Sequence, residues 1–242
     1  MISEEDVEGR RAEGDTAVEK TVFDSSNGCD LLTQRIVRFG PGRSLPRGES
    51  ELDELLYVRQ GRGSVELGGE THPLEPGTAA HVRAGERYAV LNEGEDELVV
   101  VSVLVRVEAR SGNGRRAVVR FADAAEERAD AKRTFRVLHG EETGAPNVTQ
   151  FVGLVQPFRA PDHSHSYDEV GYIVEGRGFA HIDGESIPLG PGSCFHLPPE
   201  QIHCIENTGP EVMRILGVFY PSGSPASRSY DEAAPSPKGG NR

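Results

Sequence analysis

Apolar residues along this chain come in short bursts separated by glycine, proline and polar turns. The runs "LLYVRQ", "LVVVSVLVRV", "TQFVGLVQ", "VGYIVEG" and "MRILGVFY" are rich in Val, Ile, Tyr and Phe. Runs of that length and composition, bounded by turn residues, predict β-strands. The 29 glycines and 16 prolines punctuate these runs and form no low-complexity block. One segment differs: "FADAAEERADAKR", Phe121 to Arg133, is rich in Ala, Glu and Arg and weakly amphipathic, which predicts a short helix. The expectation is an all-β chain closed as a sandwich or barrel.

The pattern is written twice. A shift of about 115 residues lays "DELLYVRQGRGSVELGGETHPLEPG", Asp53 to Gly77, on "DEVGYIVEGRGFAHIDGESIPLGPG", Asp168 to Gly192, without a gap. Asp53/Asp168, Glu54/Glu169, Tyr57/Tyr172, Gly61/Gly176, Gly63/Gly178, Pro73/Pro188 and Gly77/Gly192 coincide, and His81/His196 and Asn92/Asn207 follow in the same register. Most shared positions are turn residues, which set backbone geometry where the chain reverses. Two copies of one β domain are therefore expected, at 20–108 and 135–220, joined by a linker and the short helix over 109–134. "ARSGNGRR", Ala109 to Arg116, has the composition of a hinge. Residues 1–19 read as an arm, frayed in part or packed on the other domain, and the Pro/Ser/Gly-rich 221–242 as a disordered tail.

Composition narrows the function. Lys and Arg number 26 against 39 Asp and Glu, a formal charge of -13, so no basic surface for nucleic acid or anionic membrane is expected. No apolar run is long enough to span a bilayer, and neither end shows a helix-turn-helix pattern. The polar, acidic start does not read as a signal peptide, and Cys29, Cys194 and Cys204 are too scattered for a disulfide framework, so a cytoplasmic protein is expected.

The second copy carries chemistry that the first lacks. In "DHSHSYDEVGYIVEGRG", Asp162 to Gly178, strand alternation points His163 and His165 the same way, and Glu169 leads into the next apolar run. "GSCFHLPPEQIHCIEN" then supplies His203 after a Pro-Pro turn and Asn207 four residues later. Three imidazoles and a carboxylate suit one divalent transition metal (Fe, Mn, Ni, Co or Zn) and leave positions open for substrate.

These residues resemble the two motifs of the cupin superfamily, and the duplication resembles a bicupin. The first motif, G-x5-H-x-H-x3-4-E-x6-G, is met by His163, His165, Glu169 and Gly176, with Pro157 in place of the leading glycine. The second, G-x5-P-x-G-x2-H-x3-N, is met by Gly192, Pro198, His203 and Asn207, with Glu200 in place of the middle glycine, a change expected to alter a turn and touch no ligand. The resemblance implies two double-stranded β-helix (jelly-roll, cupin) barrels in tandem. It implies metal ligands His163, His165, Glu169 and His203. By register the first copy holds Gly48, Ser50, Glu54 and Tyr88 at those positions, so the N-terminal barrel is expected to be metal-free.

Other candidates weigh less. His196, matched by His81, reads as a structural hydrogen-bonding residue, and Asn207, matched by Asn92, as a turn residue. His181 faces Glu66 in the repeat, so it is either an acid/base residue beside the metal or a surface residue. Tyr167 either gates the site or packs on the barrel, Cys194, Cys204 and the matched Tyr57 and Tyr172 read as core, and the "GRG" turns sit in hairpins and open no phosphate-binding helix. The resemblance implies a mononuclear metal-dependent cupin acting on a small organic substrate in the C-terminal barrel, with an oxidoreductase of the dioxygenase type first. An isomerase or hydrolase of a sugar or amino-acid derivative comes second, and a non-catalytic metal or ligand binder stays in play. Bicupins often place their two barrels like the halves of a cupin dimer and can pair again, which leaves monomer against homodimer open.

Overall fold

The computed structural model describes residues 1–106 and 115–227. Nearly all of the hinge expected at 109–116 lies outside the described residues, as do residues 228–242 of the expected tail. The described strands build two barrels, each from a large and a small antiparallel sheet. The large N-terminal sheet runs Ala17–Phe23, Leu32–Phe39, Leu98–Arg106, Leu52–Gln60, Thr78–Val82, Val118–Arg120; its partner runs Gly42–Arg43, Tyr88–Asn92, Gly63–Leu67, Glu70–Leu74. The C-terminal barrel repeats this with Arg133–His139, Thr149–Val155, Met213–Tyr220, Asp168–Glu175 and Ser193–Leu197 in the large sheet. Phe158–Arg159, His203–Asn207, Gly178–Ile182 and Glu185–Leu189 form the small one. This is the tandem jelly roll that the sequence implied.

The continuous apolar run at Leu98–Arg106 has a simple cause: its strand is covered on both faces. Leu98 and Val100 point into the core of their own barrel, while Val99, Val101, Val103 and Val105 point outward. That outward face packs against Val152, Val170, Leu216 and Val218 of the other barrel in one shared core. Each such valine contributes on the order of 1.5 kcal/mol by leaving water. The interface also has a pseudo-two-fold pair of buried hydrogen bonds, Gln34 Nε2 to the Gly171 carbonyl at 3.3 Å and Gln150 Nε2 to the Leu56 carbonyl at 3.4 Å.

The barrels exchange edge strands. Ile2–Ser3 crosses to pair with Cys194 and Ser193 of the C-terminal barrel, and Val118–Arg120 returns to pair with Ala80, Ala79 and Thr78 of the N-terminal one. The N-terminal arm is thus held in place: the Glu4 carboxylate accepts from Arg38 at 2.9 Å and from the Tyr172 hydroxyl at 3.2 Å.

Two expectations are corrected. Phe121 to Arg133 is not a helix; a single 3-10 turn at Phe121–Asp123 gives way to the short strand Glu127–Arg128, which pairs with Phe135 and Thr134. Its helical composition is overridden by tertiary bonds. The Phe121 amide donates to the Gly77 carbonyl, and the Arg136 guanidinium takes the carbonyls of Phe121, Ala122 and Ala124 at 3.1, 3.3 and 3.1 Å. The expected disordered tail also begins as packed chain: Ser224 accepts from the Tyr167 hydroxyl at 3.2 Å, and the Gly223 amide donates to Thr149 Oγ1 at 3.2 Å. No helix among the described residues is long and apolar enough to cross a membrane.

Candidate metal centre

His163 and His203 face each other across a backbone bridge, each amide donating to the other's carbonyl at 2.9 Å. His165, two residues on, shares the face of His163, and the three rings converge with centroids 4.9, 4.5 and 5.1 Å apart. One donor nitrogen from each lies within 4.8 Å of the others, a spacing that one cation can span. Glu169, at the start of its strand, brings Oε2 to 3.6 Å from His165 Nε2. All four side chains are buried and line one cavity of about 80 Å3.

Ring orientation follows from the backbone. Nδ1 of His163 meets the Pro161 carbonyl at 3.0 Å and Nδ1 of His203 meets the Gln201 carbonyl at 2.8 Å. A carbonyl can only accept, so Nδ1 carries the proton in the neutral ring and Nε2 is left as the nitrogen with the lone pair. Glu200, at the position of the missing glycine, takes the left-handed backbone that glycine would supply, with φ 65°. Contrary to expectation it does touch a candidate ligand residue: its amide donates to the His165 carbonyl at 2.7 Å.

Electrostatics sets this cluster apart from a satisfied polar core. Burial pushes His165 down to about 3, helped by the neighbouring His203 and His163, and burial likewise lowers His203. Burial pushes Glu169 up to about 8, against the pull of Arg133. Among the described residues no group donates a hydrogen bond to the Glu169 carboxylate. The contrast with its twin is informative: Glu54 accepts from the Tyr88 hydroxyl at 3.0 Å and from Ser102 Oγ at 2.5 Å. Tyr88 stands where His203 stands, so the N-terminal barrel fills its centre with a hydroxyl-carboxyl network. In the C-terminal barrel the position of Ser102 is Gly217 and that of Leu56 is Gly171. A Cβ there would lie 2.4 Å from the Phe151 ring and 2.0 Å from the Phe195 ring, so both rings fold onto the barrel interior beneath the histidines.

The remaining candidates fall elsewhere. The structure does not bring His181 to the cavity: on the strand Gly178–Ile182, Ala180 enters the core and His181 is held at the outer side by Ser186 Oγ at 2.9 Å and Glu206 at 2.8 Å. His196 bonds Asp168 at 2.6 Å, as His81 bonds Asp53 at 2.7 Å. Cys29 lies close to the first of these pairs, but the second keeps its geometry without a thiol, so the pair is structural. Asn207 locks a turn by donating to the Val155 and Glu211 carbonyls at 2.8 and 2.7 Å, and Asn92 does the same with Phe39 and Asp96 at 2.9 and 2.8 Å. Tyr167 is packed, stacked 4.7 Å from His165 and 4.3 Å from Phe219. All three cysteines are free and buried. Arg133 was missed because the sequence placed it at the end of a helix; it opens the strand Arg133–His139 and lines the cavity.

Comparison with known proteins agrees with this architecture. A segment of the chain is 38% identical over 60 residues to the uncharacterized protein MJ1618 of Methanocaldococcus jannaschii, covering 24% of this chain and 48% of that protein. The fold is similar to that of Ylba from E. coli, with TM-score 0.78 and 12% identity over 90% of this chain and 89% of that one. It is also similar to Bacillus subtilis oxalate decarboxylase, a protein with Mn(II) centres, with TM-score 0.72 and 15% identity over 92% of this chain and 77% of that one. The family model described as "Cupin domain" matches twice, at residues 35–104 and 153–219, more than half of the chain and once in each barrel. The chain belongs to the cupin family, and it is a bicupin.

Proposed function

We propose that the C-terminal barrel holds one divalent transition metal on His163, His165, Glu169 and His203 and that the protein is an enzyme acting there on a small organic substrate. The single observation that carries this reading is Glu169: a buried carboxyl group with no hydrogen-bond donor among the described residues, beside three inward imidazoles. Burial without a partner holds the proton on this carboxyl, and a cation bound by those imidazoles is the partner that fits its ionised form. Such a metal supplies Lewis-acid polarisation and, if iron or manganese, a route to react with O2. The chain's own part is to hold the donors, exclude water through the apolar wall, and leave space for a substrate of only a few heavy atoms.

A dioxygenase-type oxidoreductase is favoured over an isomerase or hydrolase. Among the described residues the titratable groups lining the cavity are the four donors and Arg133. Hydrolysis and isomerisation call for a positioned acid or base besides the metal ligands, and His181 is turned away from that task. The test is turnover of hydroxy- and keto-compounds of roughly two to four carbons, the size the cavity admits, by protein loaded with iron or manganese. Oxygen uptake and substrate loss are followed together. Uptake matched to substrate loss, and absent in His163→Ala, is expected. Substrate loss without oxygen uptake would move the assignment to the isomerase or hydrolase reading.

A further inference from the structure

Outside its metal cluster the cavity is apolar except at Arg133 and Thr134. Phe135, Phe151, Val155, Phe195, Ile205 and Phe219 form its walls, and Arg133 is the one cationic side chain among the described residues that line it. A guanidinium on an apolar wall calls for anions at both its edges, and one edge is already held. Asp130 accepts from the Arg133 amide at 2.9 Å and from its Nε at 2.9 Å, while its Oδ1 also accepts from the Lys132 amide at 2.8 Å. That clamp fixes the side chain by its Nε edge. The two terminal nitrogens carry no hydrogen bond among the described residues, and the side chain is 14% exposed.

We infer that the substrate of this site carries a carboxylate on a short apolar body and that Arg133 receives it, an inference that rests on the metal-centred reading above. With a divalent ion bound, the ion and Arg133 together outweigh the two carboxylates, Glu169 and Asp130, so the cavity is net positive and draws an anion. The two terminal N–H groups of a guanidinium match the two oxygens of a carboxylate. The walls exclude a substrate polar along its length, because its other groups would lose water without gaining partners. Arg133 is thus a specificity-determining residue; bond-making is left to the metal side of the cavity.

The test uses the full chain loaded with zinc and two isosteric probes, butanoate and butanamide, with binding followed by calorimetry and zinc measured in the same samples. The wild type is expected to bind butanoate at least tenfold tighter than butanamide. Arg133→Gln is expected to lose ~10- to 100-fold for butanoate, the usual loss for a charge-assisted hydrogen bond, with little change for butanamide and zinc content intact. Arg133→Lys, which keeps the charge and loses the fork, is expected in between, and it carries the comparison if the glutamine variant does not melt cooperatively. Butanoate binding that ignores both substitutions while zinc stays bound would overturn this inference alone. A wild type that takes up no zinc would overturn the metal reading and this inference with it.

Discussion

Glu169 offers the sharpest quantitative consequence of burying a carboxyl group without a donor. Without a cation its ionisation is pushed up to about 8, from an ordinary value of 4.5. At pH 7 roughly nine in ten molecules then carry a proton on Glu169, and a metal must displace it to bind the carboxylate. Calorimetric titration of chelator-treated protein with zinc, in buffers of different ionisation enthalpy, should show about 0.9 proton released by Glu169 at pH 7 and about a quarter at pH 8.5. Metal affinity should fall close to tenfold per pH unit below 8 and level off above it. His165, pushed down to about 3, is already neutral throughout this range and contributes none. Stability without metal obeys the same linkage. Because the folded state raises the ionisation, the Glu169 contribution is present at low pH and is lost as pH climbs from 4.5 through 8, at ~1.4 kcal/mol per unit. Between pH 6.5 and 8 the loss is about 1.6 kcal/mol, readable by urea unfolding as the difference between wild type and Glu169→Gln. His165 works in the opposite sense, losing its contribution as pH falls from 6.5 toward 3, and so stays out of that window. Parallel wild-type and Glu169→Gln curves from pH 6.5 to 8, with no proton release on zinc binding, would refute the reasoning.

Tyr88→Phe removes one of two donors to the buried Glu54, so unfolding free energy should drop by about 1–2 kcal/mol in urea while metal content stays unchanged; a drop in metal would mean that the N-terminal barrel also binds it. Glu200→Gly relieves the left-handed backbone at an exposed turn and should leave stability equal or raise it by up to ~1 kcal/mol, measured by thermal melting. Burial pushes the thiols of Cys29 and Cys194 up to about 12, and the Cys204 thiol is raised by burial and Asp162. None of the three should react rapidly with an aromatic disulfide reagent at pH 8 until the protein is unfolded.

The sequence was most legible where chemistry and backbone geometry demand particular residues. The Gly and Pro positions repeated between the copies mark the same turns in both barrels, and the matched asparagines and the His–Asp pairs do the same structural work twice. His163, His165, Glu169 and His203 were readable because their spacing is that of a known family, although His163 and His165 lie on an isolated bridge and the loop after it, outside any strand. What escaped was set by tertiary contact. Phe121 to Arg133 has the composition of a helix, yet its carbonyls are claimed by Arg136 and its amide by Gly77. That misreading hid Arg133 as a cavity residue. His181 looked suited to the site from its residue type, and only the pairing of its strand shows it on the outer side. The crossing of Ile2–Ser3 to the far barrel has no local signature in two residues. How Glu54 is paired was also invisible, since Ser102 reaches it from a strand 48 residues away.

The central claim is one metal in one barrel. Elemental analysis of full-length protein, purified without added metal or chelator, beside His163→Ala and Tyr88→Phe, tests it directly. Close to one equivalent of transition metal in the wild type and in Tyr88→Phe, and its loss in His163→Ala, is the expected result. Two equivalents in the wild type, or metal kept by His163→Ala, would contradict it.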